Sequence, residues 1–148
     1  MILTKQVALD LMTAMKNQEK IKLDALRALK TAFSLAKAET GASDLEDDAE
    51  LKIVQKLIKQ RRDSATEYAA NNRQELADKE NAEADVLMAY LPKQISADEL
   101  EKIVKEIIDS VGAVSMTDMG KVMGIASKKL AGTADGKAIS EMIKKILV

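Results

Sequence analysis

Apolar residues recur three and four positions apart along most of the chain, the spacing of one face of an α-helix. Leu3, Val7, Leu11 and Met15 fit a first helix that Thr4 can cap and that ends near Asn17. Leu26, Leu29, Phe33 and Ala36 fit a second, closed by Gly41. The acidic run Asp44, Glu46, Asp47, Asp48 and Glu50 then precedes Leu51, Val54, Ile58, Ala65 and Tyr68. Acids in that place complement the positive end of a third helix dipole, and solvation of that end is the reading they support. Asn71 and Asn72 tolerate a left-handed backbone, so the third helix turns there into a fourth over about Arg73 to Tyr90, an antiparallel hairpin. Pro92, the only proline, has no amide donor and forces Leu91 out of helical torsions, so helix breaks over Leu91 to Lys93.

Beyond Pro92 the punctuation is tighter. Ser96 and Glu99 have the spacing of a capping box, and Leu100, Ile103, Val104, Ile107, Ile108 and Val111 form a wide apolar stripe before Gly112. Ser115 or Thr117 can start a helix carrying Met119, Val122, Met123, Ala126 and Leu130, ended by Gly132. Asp135 can cap a last helix whose Ile139, Met142, Ile143, Ile146 and Leu147 face inward. The expected fold is all-α. A helical amino-terminal bundle of about four helices, residues 1–94, joins a three-helix carboxyl-terminal module, residues 95–148.

Composition narrows the chemistry. The 148 residues contain no His, no Cys and no Trp. An imidazole base, a thiolate nucleophile, a disulfide framework and the usual structural zinc sets are therefore excluded, leaving carboxylates, Lys, Ser, Thr and Tyr. No metal or cofactor is expected. No apolar run approaches the ~18 residues of a membrane span, and the first residues lack the pattern of a signal peptide, so the cytoplasm is the default location. Net charge is -1, yet it is unevenly spread. Residues 96–114 hold two Lys against five acids, whereas 115–148 hold six Lys against three acids, locally +3.

Three constellations could carry function. In the expected hairpin, Glu80 and Glu83 share a face with Leu76, Leu87 and Tyr90, and Arg61, Arg62 and Arg73 lie where they can pair with them. A structural ion-pair cluster is favoured over a paired-carboxylate acid and base site, because no nucleophile or metal set accompanies it. Gly120 and Gly124, four apart on one helix, permit close approach either of a neighbouring helix or of a nucleic-acid backbone. Lys121, Lys128 and Lys129 occupy that same helix, and Lys137 opens the next. The stretch Gly132 to Lys137 superficially suggests a phosphate loop but lacks the preceding strand and the motif order. Met116, Met119 and Met123 fit adaptable core.

A set of residues spanning nearly the whole chain resembles the GatB/YqeY family. It comprises Asp10, Ala14-Met15-Lys16, Leu26-Arg27, Lys59 to Ser64, Arg73, Glu80, Glu83, Tyr90 to Gln94, Met119 to Met123, Gly132 and Asp135-Gly136-Lys137. The resemblance implies a helical bundle joined to a helical tail module. In relatives this architecture ends the B subunit of the tRNA-dependent amidotransferase, or is appended to glutaminyl-tRNA synthetase, and grips the body of tRNA. The carbon-nitrogen ligase chemistry of that amidotransferase, with glutamine as amido donor, lies in parts without counterpart here. The expectation is therefore a non-catalytic tRNA-binding accessory module, weak on its own, that works with an amidotransferase or an aminoacyl-tRNA synthetase and binds neither DNA nor membrane. RNA contacts would come from Lys121, Lys128, Lys129 and Lys137 with Gly120 and Gly124, and secondarily from Lys59, Arg61, Arg62 and Arg73. The alternative is a helical adaptor that docks another protein through an apolar groove and never touches RNA.

Overall fold

A computed structural model describes residues 2–148. Their secondary structure is seven α-helices and no strand: α1 Ile2–Lys16, α2 Lys20–Thr40, α3 Asp47–Ala70, α4 Gln74–Met88, α5 Ala97–Val111, α6 Met119–Lys129 and α7 Gly136–Leu147, with a 3-10 turn at Met116–Asp118. The chain divides into two compact units, Met1–Leu91 and Pro92–Val148. Residues 93 to 95 fall within the second unit for a physical reason. Gln94 Nε2 donates to the Gly132 carbonyl (2.7 Å) and the Ile95 amide to the Thr133 carbonyl (3.1 Å), tying this segment to the α6–α7 turn.

In the first unit the core is built from Val7, Leu11 and Ala14 of α1, Ala25, Leu26, Leu29 and Phe33 of α2, Leu45, Val54 and Ile58 of α3, and Ala84 and Leu87 of α4. The turns between helices use left-handed residues: Gln18 (φ 55°) after α1, Gly41 (φ 68°) after α2 and Asn72 (φ 58°) after α3. Two expectations need correction. Thr4 does not cap α1, which already starts at Ile2. Its amide and hydroxyl instead donate to Glu50 Oε2, at 2.6 and 2.5 Å. Glu50 is correspondingly not a solvated acid of the third helix but is fully buried. A carboxylate from α3 thus meets the positive end of α1, where helix dipole and donated hydrogen bonds offset its desolvation.

The second unit closes around Leu100, Val104, Ile107 and Ile108 of α5, Val122 and Ala126 of α6, Leu130, and Ile139 and Ile143 of α7. At the start of α5, Ser96 Oγ accepts from the Glu99 amide (3.2 Å). A reciprocal capping box occurs between Ser115 and Asp118 ahead of α6. Asp135 accepts from the Ala138 amide (2.7 Å) and starts α7. Gly112, at φ 68°, ends α5 in the left-handed conformation that a Cβ disfavours.

Candidate functional site

Helix α6 is anchored by Val122 and Ala126, with Leu130 buried just past its end. At about 100° per residue, the opposite side of this helix and the turn before it carries Thr117, Gly120, Lys121, Gly124 and Lys128, all exposed. A Cβ built on Gly120 or Gly124 would meet no heavy atom within 4 Å. The reading of these glycines as a close helix contact is therefore overturned, because the packing side of α6 is the Val122–Ala126 stripe and the glycines point the other way. They leave bare backbone facing solvent beside Lys121 and Lys128.

The remaining lysines are distributed differently. Lys129 is turned about a quarter of the way round α6 from Lys128. Lys137 is on α7, where it shares an exposed stripe with Lys144. All four candidate lysines are exposed, and among the described residues none of them forms an ion pair. Asp118, their acidic neighbour in sequence, is engaged by the amides of Val114 (3.0 Å) and Ser115 (3.4 Å). In the Gly132 to Lys137 turn the Gly132 and Thr133 carbonyls accept from the segment that follows Pro92, and the Asp135 carboxylate takes the Ala138 amide.

Of the four basic candidates in the first unit, three have acidic partners. Arg61 Nε lies 3.0 Å from Glu83 Oε2 and 3.8 Å from Glu80 Oε2, with Glu83 side-chain exposure only 8%. The contact is an ion pair without hydrogen-bond geometry, since the buried Nε has no hydrogen-bond partner. Arg62, one residue on and rotated about 100°, reaches past those acids. Its Nη1 donates to Asn81 Oδ1 (3.0 Å) and its Nη2 to Asp85 Oδ1 (2.7 Å). Arg73 joins neither pair; at the N-cap of α4 it lies about two turns below Glu80 and is exposed. Lys59 is paired with Asp63 at 2.6 Å.

A third feature was not singled out from the residue pattern. Tyr90 Oη donates to Asp10 Oδ2 (2.5 Å) and Gln6 Nε2 to Asp10 Oδ1 (2.9 Å), at the edge of an open depression of about 510 Å³ floored by Leu3, Val86 and Ala89 beside Lys22. Burial first, and then the Asp10 carboxylate beside it, pushes the Tyr90 phenol well above its usual range. Both residues belong to the set that resembles the family, but their union across 80 positions has no periodicity to betray it. Among the described residues no group of acids, His or Cys could hold a metal ion, and no helix is long and apolar enough to cross a membrane.

A two-unit helical protein with a lysine-bearing, glycine-opened helix face is the class these observations define. The chain belongs to the YqeY family: the model for the Yqey-like protein matches residues 4–147. Among curated relatives it is similar to "Altered inheritance of mitochondria protein 41, mitochondrial" of Pyrenophora tritici-repentis, 28% identical over 93% of this chain and 77% of the relative. The protein of the same name from Vanderwaltozyma polyspora is 27% identical over 94% of this chain and 76% of its own. That from Meyerozyma guilliermondii is 32% identical over 78% and 63%.

Proposed function

We propose that the chain is a non-catalytic accessory module that binds tRNA through its second unit. The observation that carries this reading is the outer face of α6, where exposed, unpaired Lys121 and Lys128 share one side of the helix with the bare backbone of Gly120 and Gly124. Cations that are not neutralised by the protein are available to phosphates, and a surface without side chains lets a sugar-phosphate backbone come close. By contrast Lys59, Arg61 and Arg62 of the first unit already have acidic partners. The second unit has no Trp, Tyr or Phe to stack on single-stranded bases, which suits recognition of folded RNA by shape. The resemblance to the amidotransferase tail supports the same substrate. In this reading the chain acts in the cytoplasm beside an amidotransferase or an aminoacyl-tRNA synthetase, and needs no cofactor of its own.

The test is binding of tRNA by the purified chain, against double-stranded DNA and a polyanion, across a salt series. Affinity should fall in the range of nonspecific phosphate-driven contacts, roughly 10⁻⁴ to 10⁻⁶ M, with tRNA preferred. The double substitution Lys121→Glu/Lys128→Glu should abolish measurable binding with helix content unchanged. Equal binding of all three polyanions would reject a tRNA module. One observation favours a second reading: Lys129 and Lys137 do not share the Lys121–Lys128 face, as an adaptor without RNA contact would allow. Loss of tRNA preference together with retained capture of a synthetase or amidotransferase would select it.

A further inference from the structure

Helix α1 is apolar on two sides. Val7, Leu11 and Ala14 are buried in the bundle. On the other side Ile2 is 69% exposed, Leu9 60% and Met12 68%. With Met15, four large apolar side chains of this helix face solvent, whereas no other helix of the described residues exposes more than two. Their order is informative. Positions 2, 5, 9, 12 and 16 are spaced alternately three and four apart, the a and d positions of a heptad, occupied by Ile2, Lys5, Leu9, Met12 and Lys16. The buried Val7, Leu11 and Ala14 fall on the f and c positions opposite.

We propose that this seam is a docking site for an acidic amphipathic α-helix of a partner protein. The heptad spacing selects a helix, because only a second helix meets knobs placed at this period along about 20 Å. Charge selects its character. Lys5 and Lys16 are exposed within the seam and unpaired among the described residues, while Asp10, the only acid of α1, faces away and is held by Tyr90 and Gln6. A partner with Leu-like residues opposite Ile2, Leu9 and Met12 and with Glu or Asp reaching Lys5 and Lys16 answers both demands. A second copy answers neither. Antiparallel registers that lay Leu9 on Met12 of the other copy bring Lys5 against Lys16, parallel ones stack each lysine on itself, and the rest bury lysines on apolar positions. A lipid surface is a poorer match as well: helices that lie on membranes present a broad apolar face, and here the apolar seam is narrow, cut by Lys5 and flanked by Thr13. This inference concerns the first unit and does not rest on RNA binding by the second.

The experiment uses the full chain and two synthetic peptides of about three heptads with Leu at a and d, one with Glu at all e and g positions and one with Lys there, charges that keep each peptide monomeric. The Glu peptide should bind, about tenfold tighter than the Lys peptide. Leu9→Gln/Met12→Gln should abolish that binding without altering the thermal melt, since both side chains are already in water. Lys5→Glu/Lys16→Glu should reverse the preference toward the Lys peptide. Absence of Glu-peptide binding at millimolar concentration overturns the proposal, as does equal affinity for both peptides. Two other results would also overturn it by assigning the face elsewhere. One is concentration-dependent dimerisation removed by Leu9→Gln/Met12→Gln. The other is binding to phosphatidylserine vesicles removed by the same pair with no discrimination between peptides.

Discussion

Two carboxylates and a phenol in the first unit show how much the surroundings of one residue decide. Glu83 sits nearly out of water against Arg61 at 3.0 Å. Deleting one member of such a pair strands the other's charge, whereas replacing both with apolar groups removes the problem along with the attraction. Arg61→Met or Glu83→Leu alone should therefore each cost about 3 kcal/mol, and the double variant clearly less than the sum, as urea titrations of the four-member cycle would reveal. Tyr90 gives a pH signature. Its phenol is held protonated in the fold, so above a pH of about 10 the unfolded chain has lost a proton that the folded chain keeps, and stability falls as pH rises. Tyr90→Phe should be less stable than the parent by about 1 to 2 kcal/mol at neutral pH, and the gap should shrink between pH 9 and 11. A constant gap across that range would show that the phenol does not titrate with folding. Glu50 was legible in retrospect: it stands four and eight positions before Val54 and Ile58 on their face of α3, but the acids around it made it look like one more solvated charge. What no pattern could supply was its acceptor role, since Thr4 lies 46 positions away.

At the scale of elements, local signals were reliable where the partner is within one turn. Ser96, Asp135, Gly41, Gly112 and Asn72 all stand at the helix ends their chemistry suits. The Gly120–Gly124 spacing was ambiguous because what faces a helix is a tertiary matter. Both glycines are helical, exposed and unobstructed, so alanine fits at either place and should stabilise α6 by about 0.5 to 1 kcal/mol each. If bare backbone at this face is used by RNA, the same Gly120→Ala/Gly124→Ala variant should melt higher and bind tRNA several-fold more weakly. A higher melting temperature with unchanged tRNA affinity would separate the glycines from the RNA contact and leave the lysines alone responsible.

Across the whole molecule, a near-neutral chain can still present a local cationic surface, and location rather than net charge governs an encounter with RNA. The balance of -1 conceals the +3 of residues 115–148. All-helical structure and the break before Pro92 could be read from periodicity and one proline, because both are set by the backbone within a few residues. Which cations remain free could be read only in part: the expected hairpin put Arg61 beside Glu83, as found, but it did not give Arg62 its partner Asp85, and it left open whether Lys121 and Lys128 meet acids on other helices. The difference between paired and free cations gives a test between units. Lys59→Glu/Arg73→Glu adds the same negative charge to the first unit as Lys121→Glu/Lys128→Glu adds to the second, so any general effect of net charge is shared. The long-range penalty falls off over about 8 Å at physiological salt, whereas each phosphate that a lysine no longer neutralises lowers the slope of log K against log[salt] by roughly 1. The second-unit pair should lower that slope by about 2 and remove binding near 150 mM salt, while the first-unit pair should leave the slope unchanged and shift affinity less than about twofold. The opposite ranking would move the RNA contact to the bundle, with exposed Arg73 its first candidate.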